Sequence, residues 1–356
     1  MTNEFIVPTG FVIRDYLEEY GISQKELSRR LGMSEKHVSN VLSGKSRLTE
    51  EFAISLEKII HDVPASYWLN YESKFREFKK REELEQNEFS EEKLKYYSKK
   101  FKFSSVFGGL NWDLKKQANE MLKLLRIDNF DIFDSVYSDL EVEFMEDGGE
   151  VEPIAIWLNL AKEEIEIQNK DLSDVKFNKE KVINSLSKLK KISMNKDYIN
   201  SLNSVRKLLN RAGVYLVFQD PIENSKVRGA LTTYKSRPAV FISGRFKSHD
   251  HVWFALMHEI GHLLQHYVPN DTIISLEDDL YSSNSTSIKE EEANEFARNF
   301  FIDAEDYKKF VSKNEFNKST IIDFALDQNV LPGIVVARLQ HDNYVPHSKL
   351  NYLKNR

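Results

Sequence analysis

Two histidines four residues apart, with a glutamate directly after the first, form the stretch best suited to chemistry: His258, Glu259 and His262. On an α-helix, residues four apart share one face, so both imidazoles can bind one metal ion. Two imidazoles and one carboxylate leave Zn²⁺ a position for water, and Glu259 can deprotonate that water as general base. The alternative is a buried apolar helix whose histidines are only hydrogen-bonded, although burying such groups without a charge partner is costly.

A carboxylate that could complete this ligand set lies downstream, in residues 288–301. The apolar positions there have helical spacing: Ala293, Phe296, Ala297, Phe300 and Phe301. Extended back by one turn, the apolar stripe meets Glu290, which is therefore the predicted third ligand. Asn294, one turn later, is placed either to hydrogen-bond a metal ligand or to form a hydrogen bond between its helix and a loop, and both interpretations stay open.

These residues resemble the ImmA/IrrE family of zinc metallopeptidases, whose pattern is HExxH, a variable loop and a helix of the form E-x-x-A-N-x-F-A. Glu290 matches the glutamate ligand of that family, and residues 213–218, 229–234 and 238–245 fit its upstream strands. The resemblance implies a zinc-dependent endopeptidase whose substrate is a protein, typically a repressor or antitoxin. Three residues are candidates for stabilising the oxyanion: Arg245, Tyr267 and Tyr281.

The first 60 residues predict short helices in a helix-turn-helix arrangement. Ser23, Ser34 and Thr49 are candidate N-caps, and Gly32 fits the turn between two helices. In such an arrangement the second helix, here residues 35–42, enters the DNA major groove. The predicted contacts with double-stranded DNA come from five residues: Gln24, Lys36, His37, Asn40 and Lys45.

The charge of this region suits DNA, because residues 24–47 contain six basic and two acidic side chains in an otherwise acidic protein. A helical interaction domain with a solvated basic face would show the same pattern. Residues 38–53 resemble the recognition helix and following loop of the lambda-repressor-like (XRE) family, and more narrowly of HigA-type antitoxins. Residues 68–70 match a segment that follows the last helix of those proteins. The resemblance implies sequence-specific binding to an operator, usually as a homodimer.

Composition limits the remaining possibilities. The chain has 356 residues, a formal charge of −6 and no cysteine, so disulfides and thiolate ligands are excluded and any metal must bind histidine and carboxylate. The start of the sequence lacks a secretory signal pattern and no run of 18 apolar residues occurs, so we expect a cytoplasmic protein without a membrane partner.

The sequence predicts a mostly α protein with a small β-sheet (α+β) in three parts. These are a helix-turn-helix domain (1–72), a helical middle domain (73–205) that looks like a spacer or sensor, and a zincin-like peptidase domain (206–356). Strands are expected at 214–218, 230–234 and 239–243, before a metal-binding helix that begins near Ser248. Residues 269–287 read as a long polar loop, and the C-terminal helices are expected to pack on the peptidase domain rather than to form a second helix-turn-helix.

Two functional hypotheses follow. The first is a DNA-binding regulator fused to a zinc endopeptidase that cleaves a repressor, an antitoxin or its own helix-turn-helix domain. The second is an antitoxin or transcription factor whose peptidase-like domain binds zinc as a sensor without catalysis. The presence of all four residues, His258, Glu259, His262 and Glu290, favours the first hypothesis.

Overall fold

Hydroxyl side chains begin three of the short helices at the N-terminal end, as the sequence predicts. The Ser23 Oγ accepts a hydrogen bond from the Glu26 amide, Ser34 accepts from the His37 amide and Thr49 accepts from the Phe52 amide, each at 3.2 Å. The helices that result are α1 (Thr9–Glu19), α2 (Gln24–Leu31), α3 (Glu35–Leu42) and α4 (Glu50–Glu57). Gly32 ends α2 in the left-handed conformation (φ 66°), which makes the tight turn into α3.

A long helix, α5 (Ala65–Asn87), closes this bundle through one buried carboxylate. Glu72 accepts hydrogen bonds from the Thr9 hydroxyl at 2.5 Å and from the Leu48 amide at 3.3 Å. The first residue of α1, the segment before α4 and the long helix thus meet at one polar centre beneath the hydrophobic core. Beyond this point the outer face of α5 carries exposed lysine, arginine and glutamate side chains.

The structure, a computed structural model, describes residues 7–87, 89–138, 150–245, 248–276 and 288–354. Its contacts divide the chain into two compact units, residues 1–93 and 94–356. The α+β fold class is confirmed. The three-domain division stays a prediction, although residue 72 lies within α5 and residue 205 lies within a later helix.

The second unit begins with helices that lead up to the sheet. They are α6 (Glu91–Lys100), α7 (Phe103–Phe107), α8 (Leu114–Leu125), α9 (Phe133–Val136), α10 (Val151–Glu163), α11 (Ile165–Gln168), α12 (Lys179–Ile183), α13 (Leu186–Ile192) and α14 (Tyr198–Asn210), with a 3-10 turn at Phe130–Ile132. The last three helices place Val182, Leu189 and Val205 in the hydrophobic core of the sheet. Part of the predicted middle domain therefore packs together with the predicted peptidase domain.

A four-stranded mixed sheet follows, in the order β1-β3-β2-β4. Its strands are β1 (Tyr215–Gln219), β2 (Val227–Tyr234), β3 (Arg237–Ser243) and β4 (Ile273–Leu276). Strands β1 and β3 are parallel, whereas β2 is antiparallel to both β3 and β4. The three predicted strands are present, but β4 lies within the segment expected to be a polar loop, so that expectation was wrong for residues 273–276.

The outer edge of β1 is satisfied by side-chain amides. Gln168 exchanges two hydrogen bonds with the backbone of Phe218, both at 2.9 Å, and Asn169 does the same with Leu216 at 2.9 and 3.0 Å. Two adjacent amides therefore replace a neighbouring strand and prevent further strand pairing at this edge. Among the described strands, β4 forms the other edge of the sheet.

The helix with the HExxH motif, α15 (His249–Gln265), packs on β2 and β3 and against α16 (Ile288–Phe301). The chain then continues through α17 (Ala304–Ser312), α18 (Lys318–Asp327), α19 (Pro332–His341) and a 3-10 turn at Asn351–Leu353. Ile321, Val335 and Leu339 are buried in the same core as α15, in agreement with the predicted packing role. No single helix in the described ranges is long and apolar enough to span a membrane, although α18 and α19, bent by 109°, would pass that test as a pair.

Candidate metal centre and DNA-binding face

Close packing of α15 on α16 brings the three predicted ligands together. Gly261 lies between His258 and His262, and a Cβ at this position would be only 3.2 Å from the Ala293 Cα. The absence of a side chain at Gly261 lets the two helix backbones approach, so Glu290 on α16 reaches both histidines on α15. All three side chains are buried, with exposed fractions of 1% for His258, 0% for His262 and 9% for Glu290.

The ligand atoms converge on one point. The two histidine Nε2 atoms are 3.0 Å apart, and the Glu290 oxygens lie 3.0 Å from His258 Nε2 and 2.9 Å from His262 Nε2. Each of these residues therefore offers an atom within 4.8 Å of the others, which is the spacing of a shared cation. Two imidazoles and one carboxylate are the donor set of catalytic zinc sites.

The hydrogen bonds around His258 test whether this cluster fits a cation. His258 Nδ1 lies 2.9 Å from the Asn294 side-chain oxygen, and an amide oxygen only accepts, so His258 Nδ1 carries the ring proton. His258 Nε2 then presents a lone pair to Glu290 Oε2, and that oxygen has no hydrogen-bond donor in the described part of the chain. Two lone pairs facing each other at 3.0 Å repel unless a cation lies between them, so the residues fit a metal ion.

The electrostatics point in the same direction. Burial lowers the pKa of His258 to about 4, which keeps its imidazole neutral and able to act as a ligand. Burial works against ionisation of Glu290, but its contacts with His258 and His262 outweigh burial and hold the pKa of the carboxyl well below its usual range. For His262, contact with Glu290 likewise outweighs burial and raises the pKa. The cluster thus stabilises positive charge at its centre.

Glu259 lies beside this cluster in a position that only a glycine neighbour permits. A Cβ at Gly229 on β2 would lie 2.4 Å from Glu259 Oε1, so the bare backbone of β2 forms one wall around the carboxylate. Gly229 pairs with Ser275 of β4 at an irregularity in the strand register, which brings the edge strand to the same place. Glu259 is 1% exposed, and burial raises the pKa of its carboxyl to about 7.

Several contacts here were not predicted from the sequence. His262 Nδ1 lies 3.0 Å from His266 Nδ1, and His266 Nε2 lies 2.8 Å from a Glu292 oxygen. The spacing of His266, four residues after His262, is a signal that could have revealed the first contact. Arg228, next to Gly229, is buried as well. Burial is the larger effect on both neighbours: it lowers the pKa of His258 and raises that of Glu259. The positive charge of Arg228 lowers both pKa values.

Of the three oxyanion candidates, Tyr267 and Arg245 lie among the described residues. The Tyr267 hydroxyl lies within hydrogen-bond distance (3.1 Å) of the Thr233 hydroxyl. Arg245 lines a cavity with Arg228 beside the first turns of α15. Tyr281 lies outside the described residues. None of these observations assigns the role to one of the three.

The residues predicted to contact DNA lie on or beside the two central helices of the N-terminal bundle. Gln24, Lys36 and Lys45 are exposed, whereas His37 and Asn40 are half-buried. The opposite side of α3 is buried through Val38, Val41 and Leu42. The His37 ring also packs near Phe52, with ring centroids 6.2 Å apart, so part of the His37 side chain contributes to packing within the bundle.

Together these features define a protein with an N-terminal helix-turn-helix bundle and a C-terminal sheet-and-helix domain that contains a buried metal-ligand cluster. Comparison with known proteins agrees with this description. A helix-turn-helix family model matches residues 13–68, and a peptidase family model, the IrrE N-terminal-like domain, matches residues 210–315.

One relative is similar to a short part of the chain. An uncharacterized HTH-type transcriptional regulator, YddM, of Escherichia coli (strain K12) is 34% identical over 64 residues, which are 18% of this chain and 67% of that protein. The chain belongs to the helix-turn-helix family and also carries an IrrE N-terminal-like, peptidase-like domain. Both family resemblances predicted from the sequence are confirmed, and the helix-turn-helix match supports DNA binding.

Proposed function

We propose that this protein is a cytoplasmic, DNA-binding transcriptional regulator whose second domain is a zinc-dependent endopeptidase. The observation that carries the proposal is a buried cluster of two imidazoles and one carboxylate with a second carboxylate, Glu259, at its side. His258, His262 and Glu290 together match the donor set of zinc. Glu259 is therefore not needed as a ligand. A purely structural zinc site does not require this additional buried carboxylate.

His258, His262 and Glu290 hold the metal in this proposal. When bound there, Zn²⁺ supplies Lewis acidity, which polarises a peptide carbonyl and makes a water acidic enough to lose a proton near neutral pH. Asn294 holds the His258 ring in the tautomer that leaves Nε2 free for the metal. The buried surroundings exclude bulk water and strengthen each of these interactions.

Glu259 acts as the general base and then as the general acid. Its carboxylate accepts the proton of the attacking water and later delivers that proton to the leaving amine of the cleaved peptide. Burial raises the pKa of Glu259 to about 7 without a metal, and a bound cation beside it would lower that pKa and so favour the carboxylate form that accepts the proton. Gly229 leaves room for the carboxylate at this position.

The substrate is a regulatory protein, such as a repressor or antitoxin or this chain's own helix-turn-helix domain. We expect an extended substrate segment to pair with β4 by backbone hydrogen bonds, because Gln168 and Asn169 already satisfy the edge at β1. Ser275 of β4 pairs with Gly229, which borders Glu259, so a segment at this edge passes close to the general base.

Substitution of Glu259 by glutamine tests the catalytic part. Glu259→Gln keeps the size of the side chain but removes its basicity, so zinc content and DNA affinity should stay unchanged while proteolysis falls by about 10²-fold or more. Glu290→Ala should instead lose zinc as well as activity. Purified protein would be incubated with candidate repressors and with its own Glu259→Gln copy, and fragments would be identified by mass spectrometry.

The second candidate function, a zinc-binding sensor without catalysis, predicts a different result for the same variants. In that case Glu259→Gln should regulate a reporter gene in cells as the wild type does, whereas Glu290→Ala should not. Equal regulation by wild type and Glu259→Gln, with no cleavage products from any partner, would rule out the endopeptidase.

A further inference from the structure

His266 directly follows the last residue of α15, as its C-cap, and it joins one proposed metal ligand to an exposed carboxylate. Its ring lies one turn beyond His262, tilted by 57° to that ring, with 3.0 Å between the two Nδ1 atoms, and its Nε2 lies 2.8 Å from a Glu292 oxygen. The His266 side chain is only 8% exposed, whereas that of Glu292 is 52% exposed. These three side chains therefore form a chain from the metal cluster to the protein surface.

Counting protons along this chain gives one consistent arrangement for neutral rings. A carboxylate only accepts, so His266 Nε2 donates its hydrogen to Glu292. The Nδ1 of His266 then has a lone pair and accepts the hydrogen of His262 Nδ1. With its proton on Nδ1, His262 keeps a lone pair on Nε2, which is the atom that faces Glu290.

We propose that His266 and Glu292 are positioning residues that hold the His262 ring in its metal-binding tautomer and orientation. The proposal rests on the proposed zinc site, and it assigns these two residues the role for His262 that Asn294 has for His258. A partner that fixes the second ring nitrogen of a metal-binding histidine commonly strengthens metal binding by 10- to 100-fold.

Helix geometry explains why His262 needs two residues where His258 needs one. On α16, Glu290 and Asn294 are four residues apart and share the face that meets the histidines, so Asn294 contacts His258 directly. Glu292 lies about 200° around the helix from Glu290, because each residue turns by 100°. Glu292 therefore cannot reach His262 directly, and His266 contacts both residues.

Zinc affinity of the full-length protein, measured by competition with a chromophoric chelator, tests the proposal without relying on activity. His266→Phe keeps a ring without hydrogen bonds and should weaken zinc binding by about 10- to 100-fold. Glu292→Ala should weaken it in the same direction. The double variant should be little worse than His266→Phe alone, because both residues act through one chain of contacts.

Glu295→Ala is the matched control, since Glu295 is an exposed carboxylate on the same helix. It should bind zinc like the wild type. Absorption spectra of the Co²⁺-substituted proteins add a second measurement: His266→Phe should change the ligand-field bands, whereas Glu295→Ala should not. Melting temperatures of the metal-free proteins would show that all variants are folded.

Two failures are distinguishable. If the wild type binds zinc tightly and His266→Phe and Glu292→Ala bind it equally tightly, the positioning role is wrong while the zinc site stands. If the wild type itself does not bind zinc, the proposed function fails together with this inference. An effect of Glu295→Ala as large as that of Glu292→Ala would mean that only general negative charge matters, which would also overturn the specific role.

Discussion

The candidate metal centre and the proposed DNA-binding face place their side chains in opposite environments. His258, Glu259 and His262 are at most 1% exposed, and the position of each is set by contacts with other buried groups. Gln24, Lys36 and Lys45 are exposed, and the fold beneath them is held by capped helices and a separate hydrophobic core. The candidate metal centre thus depends on close packing of its side chains. The proposed DNA-binding face depends mainly on charge and on the helix that carries the charged side chains.

This difference predicts different responses to substitution. In the buried site, adding one methyl group can move a reacting atom, since close-packed interiors have little free space. On the exposed face, each charged side chain contributes separately to attraction for phosphates, so losses should be graded and sensitive to salt. The following experiments test this contrast, from the largest expected effect to the smallest.

Two glycine substitutions should separate catalysis from metal binding. The new Cβ of Gly229→Ala would meet Glu259 at 2.4 Å, and the side chain that must move is the proposed general base, not a proposed metal ligand. We expect proteolysis to fall by about 10²-fold, the scale of general-base loss, with zinc content unchanged. Gly261→Ala would instead press on the Ala293 backbone at 3.2 Å and should weaken zinc binding, because it separates the helices that carry the ligands.

Zinc content by elemental analysis and cleavage rates on the same preparations would check both variants. Melting temperature is a poor measure for Gly261→Ala, because replacing a helical glycine by alanine itself favours the helix by about 1 kcal/mol. If Gly229→Ala lost zinc while Gly261→Ala kept it, the assignment of β2 to the base and of the helix pair to the metal would be wrong.

On the DNA-binding face, Asn40→Ala and Lys45→Ala should differ in kind. Asn40 is a half-buried residue of α3, and its loss should reduce discrimination between bases by about 1–3 kcal/mol. Lys45→Ala should weaken binding to all sequences alike and lower the salt dependence by about one phosphate contact. Lys79→Ala, an exposed lysine on α5, is the charge-matched control.

Binding would be measured on duplexes selected from a random pool, at several salt concentrations. Neither Lys45→Ala nor Asn40→Ala should change zinc content, because the residues belong to a different compact unit from the ligands. Equal effects of Lys45→Ala and Lys79→Ala would indicate that only overall charge matters, as expected for a solvated basic face without a DNA-reading role.

Much of both sites could be predicted because short-range rules govern their parts. The caps Ser23, Ser34 and Thr49 act within three residues of themselves, and the spacing of His258 and His262 follows from one helical turn. Glu290 could be chosen because its neighbours on the helix are apolar on one side.

The parts that were missed depend on contacts between distant segments. The contact of Glu259 with Gly229 joins residues 30 positions apart, and the contact of His266 with Glu292 spans 26 positions. Strand β4 has only four residues and is identified by its pairing with β2 rather than by its own pattern. Such features require the tertiary fold, which local periodicity does not specify.

The smallest expected effect concerns stability. It compares a buried ion pair with an exposed one. Asp250, in the first turn of α15, is 5% exposed and forms an ion pair with Lys354 at 3.1 Å. Burial disfavours the charged form of Asp250, but its contacts with His251 and Lys354 outweigh burial and hold the pKa of the carboxyl below its usual range. On the surface of α2, Arg30 and Glu26 pair at 3.0 Å while both remain well exposed.

Because the pKa of Asp250 is lower in the folded protein than in the unfolded chain, its stabilising contribution is complete above the unfolded value of about 3.9. The contribution is lost as the pH falls from that value through the folded pKa. Lys354→Met should therefore lower the free energy of unfolding by about 1–2 kcal/mol at pH 7, and this difference should shrink below about pH 4. Arg30→Met should change stability little at any pH, since exposed ion pairs contribute little. Urea unfolding of both variants between pH 7 and pH 3 would measure this, and a deficit of Lys354→Met that did not depend on pH would show that lost packing, not the charge pair, is responsible.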